Sequence, residues 1–147
     1  NELIYAEKID VLASVLTKSA TKSAEIEKAW ERVMFNQFHD ILAGCSIKPA
    51  YDDAYAGFGY AKEAAMEIGT FAAERISWRV NTTKFFDSEL SEIRGRLWTR
   101  SGEGSPMVVF NPHSFPVKGY ASFGEHWATG VVDENDNDVE FQMIREV

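Results

Sequence analysis

His39 and Asp40 are the two adjacent residues in this sequence with the clearest chemical potential. They stand in the run Asn36-Gln37-Phe38-His39-Asp40-Ile41-Leu42-Ala43-Gly44-Cys45-Ser46-Ile47. A neutral imidazole is a good zinc ligand, and a neighbouring carboxylate can accept hydrogen bonds from sugar hydroxyls or orient a ligand. Adjacent residues on a helix point about 100° apart, so the pair can flank one cavity but does not readily chelate one ion. A plainer reading is a helix-end histidine favoured by the negative end of the dipole, beside a solvated Asp40. Phe35, Phe38, Ile41 and Leu42 weigh against it. They predict burial of this end of the helix, and a buried charged pair requires a reason.

Other chemistry-bearing residues read as structural. His113 follows Asn111-Pro112 and His126 precedes Trp127. Each is isolated from a partner constellation, which favours a structural or solvent role. Asp52 and Asp53 open a helix, where acids favour the dipole. The acidic stretch Asp133–Asp138 alternates Asp and Asn but lacks the glycine and terminal bidentate Glu of a calcium loop. It reads as a solvated hairpin tip. Cys45 has no His or Asn at a nucleophile spacing and reads as a small buried turn residue. Trp30, Trp78, Trp98 and Trp127 read as packing residues; sugar stacking by Trp127 rests on residue type alone.

Three amphipathic segments carry the pair. Ile4, Ala6, Ile9, Leu12, Ala13 and Leu16 recur at helical steps and predict a helix over 2–18. Ser23 is a candidate N-cap, without a capping box. A second helix is expected over 24–43, with a core stripe of Ile26, Trp30, Val33, Met34, Gln37 and Ile41. Phe35, Phe38 and Leu42 add a second apolar line. Gly44 suits the residue just past its end. A third helix is expected over 48–80, where Tyr51, Ala54, Phe58, Ala61, Ala65, Ile68, Ala72 and Ile76 keep steps of three and four. Gly57, Gly59 and Gly69 weaken it and would admit a close neighbour.

After Asn81 the pattern changes. Residues 85–96 are ambiguous, with a short helix around 88–94 as one reading. Residues 100–106 are a loop by composition. Strands are expected at 107–110, 117–123, 129–132 and 139–144, the last two flanking the acidic turn. The fold class is therefore α+β: an antiparallel three-helix bundle over residues 1–95, then a partial antiparallel β-region over 96–147. So few strands leave a sandwich incomplete, which predicts that the chain continues past Val147.

The bulk properties narrow the function. A hydrophobic share of 45% is enough for a core and argues against global disorder. A formal charge of −8 argues against a nucleic-acid surface, which needs clustered Lys and Arg. No run approaches the roughly 20 apolar residues of a membrane span. The single cysteine excludes an internal disulfide and fits a reducing, cytoplasmic compartment.

The run Asn36–Ile47 resembles the signature of family 38 glycoside hydrolases, the zinc-dependent retaining α-mannosidases. Asn1-Glu2-Leu3-Ile4 with Ala6-Glu7-Lys8 resembles the opening of their helical middle domain. Val108-Val109-Phe110-Asn111-Pro112 resembles the first strand of their following β-domain. Ala43 and Cys45 depart from the usual Pro and Ser or Thr, without touching His39 or Asp40. The resemblance implies that His39 is a zinc ligand and that Asp40 binds mannose hydroxyls. It also implies a partner, an N-terminal α/β domain carrying the nucleophile, the acid/base and the other zinc ligands. Nothing in this chain matches that domain, so no catalytic residue is assigned here, and the chain alone is expected to be inactive and to bind zinc weakly or not at all. The alternatives are a non-enzymatic helical interaction module and a His-Asp phosphohydrolase; the latter needs an upstream His, and none precedes His39.

Overall fold

A computed structural model describes residues 1–82, 106–124 and 130–144. They fall into two compact units: Asn1–Thr82 with Val108–Val117, and the remaining described residues.

The first unit is helical. Its elements are α1 (Glu2–Thr17), α2 (Ser23–Phe35), α3 (His39–Leu42) and α4 (Lys48–Ser77). Pro49 sits in the first turn of α4, where a missing N–H costs nothing, and extended Ile47 leads into it. Ala54, Ala61, Ala65, Ile68, Gly69, Ala72 and Ile76 form its buried stripe. Six of the eight stripe residues expected from spacing, Ala54, Ala61, Ala65, Ile68, Ala72 and Ile76, are buried.

 Tyr51 is half-buried and Phe58 lies at the margin of exposure.

The face of α1 differs from the expected one. Leu3, Ala6, Ile9, Asp10 and Ala13 are buried, whereas Ile4, Leu12 and Leu16 are exposed. The helix is turned so that its small residues meet the alanines of α4. Tyr5 and Ala6 lie against Gly69, and Asp10 pairs with Arg75, so α1 and α4 run in the same direction. Helix α2 runs against both: Lys22 at its start reaches Asp10, Trp30 reaches Glu7, and Asn36 past its end meets Gly57. One apolar cluster joins Leu3, Ala6, Ile26, Ala29, Ala61, Ala65 and Ile68. A second joins Ile9, Ala13, Ala72 and Ile76, with Phe110 packed on it.

At the far end of this core, a buried polar network replaces apolar contacts. The Asp10 carboxylate accepts from Arg75 Nη2 at 2.8 Å and from the Lys22 backbone N–H at 2.6 Å. Arg75 Nη1 donates to Ser19 Oγ at 2.6 Å. The α1–α2 connection is thereby tied to α4.

The second helix is shorter than 24–43. It ends at Phe35, and Phe38 adopts an extended conformation before α3 begins at His39. Met34 and Phe35, still on α2, and Phe38 and Leu42 beyond it are exposed instead of forming core lines. Residues past the break follow a new axis, so their earlier 3.6-residue register no longer points at α1 and α4.

Among the described residues no β-strand forms. The acidic turn is closed by one antiparallel bridge between Val132 and Asp138. Val139 N donates to Val131 O at 2.8 Å, and Asp133 N to Asn137 O at 2.9 Å. An apolar alternation nominates a strand, but a ladder needs a hydrogen-bonding neighbour, and an isolated hairpin is marginal. The ambiguous segment 85–96, with Trp98, His126 and Trp127, lies outside the described residues. No described helix is long and apolar enough to cross a membrane.

Candidate functional site

The break after α2 is what creates the site. Phe38 O accepts from the backbone N–H groups of Ile41 and Leu42, both at 3.1 Å, and so starts a single turn carrying His39 and Asp40. Gly44 ends that turn with φ at 78°, a left-handed value that suits glycine. Cys45 N donates to Asp40 O at 3.3 Å, and Gly44 N to Ile41 O at 3.2 Å. These paired bonds are a common way of closing a helix over a left-handed glycine.

Tyr51, in the first turns of α4, holds the turn from the other side. Its hydroxyl lies 3.2 Å from Asp40 O and 3.4 Å from Ile41 O, and accepts from Ser46 N at 3.3 Å. The backbone of Asp40 is thus tied to α4 through a side chain outside the sequence run.

His39 Nε2 lies 3.2 Å from Asp40 Oδ1, and the imidazole is tilted against the Phe38 ring at 4.2 Å between centroids. The His39 side chain is 79% exposed and that of Asp40 48%. The expected burial of the pair is therefore corrected: Phe35, Phe38 and Leu42 are exposed beside it and do not cover it. The dipole reading also fails, because His39 opens its helix and does not close it. Cys45 is exposed too, with Sγ 3.7 Å from Asp40 Oδ1.

Asp40 lines a cleft of about 960 Å³ between α2, α3 and α4. Arg32, Phe35 and Asn36 form one wall at helical spacing, and Asp53, Gly57 and Tyr60 form the facing one. Gly57 lets the walls converge: a Cβ there would stand 2.7 Å from Asn36 Nδ2. Asn36 is buried and its amide donates to Arg32 O at 2.9 Å. His39 is not among the residues lining the cleft.

Sequence reasoning missed Arg32, Tyr51, Asp53 and Tyr60. Asp52 and Asp53, both read as helix-start acids, separate here. Asp52 pairs with Lys48 at 2.7 Å, whereas Asp53 lines the cleft. The spacing of Asp53, Gly57 and Tyr60 on one helical face was the available signal. His113 stacks near Phe115 at 5.1 Å between ring centroids and is exposed, away from any metal-ligating group of three.

Among the described residues no three His, Cys, Asp or Glu side chains could together hold a metal ion. His39 offers one imidazole, well short of the three or four protein ligands of a zinc site.

A family model described as the alpha mannosidase middle domain matches residues 1–76. No curated protein and no solved structure matches the chain.

Proposed function

The chain belongs to the alpha mannosidase middle domain family, and on that premise we propose that it is part of a family 38 α-mannosidase. In this reading residues 1–95 are the antiparallel three-helix bundle of the middle domain, and residues 96–147 begin a β-domain. The single observation that carries it is the run from Asn36 to Ile47 within the matched region. It forms an exposed turn that presents His39 and Asp40 beside a cleft.

Asp40 is then a sugar-binding group. Its carboxylate accepts from hydroxyls of the mannose, while Tyr51 and the Gly44 turn fix its backbone. His39 supplies one ligand to a zinc ion whose other ligands come from a preceding α/β domain. That domain also supplies the two carboxyl groups of a retaining glycosidase, one as nucleophile and one as acid/base. The exposed apolar residues Met34 and Leu42, which lie outside the cleft, belong to the surface it covers. A reducing, cytoplasmic setting is part of the proposal and rests on the single cysteine.

The test is hydrolysis of an aryl α-mannoside by the full-length protein, with and without a chelator. Chelator-sensitive hydrolysis that His39→Ala abolishes is expected. Near-wild-type turnover in that variant refutes the assignment of His39.

A further inference from the structure

The cleft is larger than one sugar-binding carboxylate requires. Its volume of about 960 Å³ sits near the top of the range of small-ligand sites. Besides Asp40 it is lined by Arg32, Asp53 and Tyr60, and by the rings of Phe35 and Phe38. No ion pair or side-chain hydrogen bond engages the Arg32 guanidinium, the Asp53 carboxylate or the Tyr60 hydroxyl among the described residues. By contrast, Asp52, one residue away, is paired to Lys48.

We propose that Arg32, Asp53 and Tyr60 form a second sugar subsite, which holds the residue linked to the mannose that Asp40 binds. The inference rests on the α-mannosidase reading. Sugars carry donors and acceptors on their rim and apolar C–H faces above and below. A guanidinium donates to hydroxyl oxygens, a carboxylate accepts from hydroxyl hydrogens, and aromatic rings cover the C–H faces. The cleft offers all three on facing walls. The opposed charges of Arg32 and Asp53 also suit a neutral polyhydroxyl ligand better than an anion or a cation. Rigid helices supply both walls, so the groups are held at fixed spacing.

The experiment uses the full-length enzyme and two substrates: an aryl α-mannoside, and α-linked mannobioses. Asp53→Ala and Tyr60→Phe remove hydroxyl-binding groups from exposed positions and leave the core intact. The expected result is a rise in KM for a mannobiose of about tenfold in each variant, the scale of one lost hydrogen bond to a charged or polar group. The aryl ring has no hydroxyls, so kcat/KM for the aryl mannoside should stay within about twofold. That activity also reports that the variants are folded. Equal losses on both substrates, or no loss on either, overturn the subsite while leaving the mannosidase reading in place. A wild-type protein that hydrolyses no α-mannoside overturns both.

Discussion

Asp10 Oδ1 lies 2.8 Å from Arg75 Nη2 across the α1–α4 contact, with the Asp10 side chain only 1% exposed. A carboxylate with so little water must have its charge met by the protein. Arg75 and the Lys22 N–H meet it. Removing one partner leaves the other charge uncompensated, which typically costs about 3–5 kcal/mol. Asp10→Ala is therefore expected to lower the unfolding free energy by about that amount, read from urea denaturation followed by circular dichroism. A change below about 1 kcal/mol would show that water replaces the pair freely.

Two glycines of α4 separate helix propensity from packing. A Cβ at Gly59 meets nothing within 4 Å, so Gly59→Ala should stabilise by up to about 1 kcal/mol. Gly57→Ala gains the same propensity but brings a Cβ to 2.7 Å from the amide of buried Asn36. The amide must shift and weaken its bond to Arg32 O, an effect of about 1–3 kcal/mol for a buried polar group. Thermal midpoints should move in opposite directions; a rise in both would mean that Asn36 has room to move.

How far the sequence foretells this structure depends on what sets each feature. The stripe of α4 was legible because Ala54, Ala61, Ala65, Ile68, Ala72 and Ile76 keep one period across a long helix. The break at Phe35 was not, because residues 36–42 continue the apolar spacing without a proline or glycine to interrupt it. The face of α1 was misread for a related reason. Its outward side carries Ile4, Val11, Leu12 and Val15, so hydrophobicity alone does not say which side turns in. The side that turns in carries Ala6 and Ala13, which fit against the small residues of α4, and Asp10, which meets Arg75 from 65 residues away. For the site, His39 and Asp40 were legible as residue types in a specific run. The cleft walls Arg32, Asp53 and Tyr60 were not, since they converge only through the packing of α2 on α4.

Gly44 stands at φ 78° with its N–H bonded back to Ile41 O. A side chain there finds open space but meets its own backbone, at a cost of roughly 1–2 kcal/mol. Gly44→Ala should therefore destabilise, and Gly44→Asn should recover part of the loss, since Asn tolerates this conformation. Urea midpoints for the two variants give the comparison; equal midpoints for Ala and Asn would discount backbone strain.

Tyr51→Phe tests whether the turn must be held to function. It removes the hydroxyl bonded to Ser46 N and the carbonyls of Asp40 and Ile41, and keeps the ring. In the full-length enzyme, kcat/KM on an aryl α-mannoside should fall roughly tenfold. The thermal midpoint should fall by only a few degrees, as for about 1 kcal/mol. An unchanged kcat/KM would reduce Tyr51 to a structural residue.

Asp133 gives the chain a local pH response. Its carboxylate accepts from Asn137 Nδ2 at 2.9 Å, from Asn137 N at 3.0 Å and from Asn135 N at 2.8 Å. These bonds, the Asn137 side chain first, hold its pKa below the ordinary 3.8. A folded pKa below the unfolded one means that the turn is stabilised above the unfolded value. That contribution is lost as the pH falls through the folded value, so the response lies below pH 3.8. Cross-turn NMR contacts between Val132 and Asp138 should persist at neutral pH and fade on acidification beneath that point. Asp133→Asn removes the carboxylate, and with it the pH dependence. Contacts in the unaltered chain that are equally strong at pH 2 and pH 6 would show that the bridge holds without the charge.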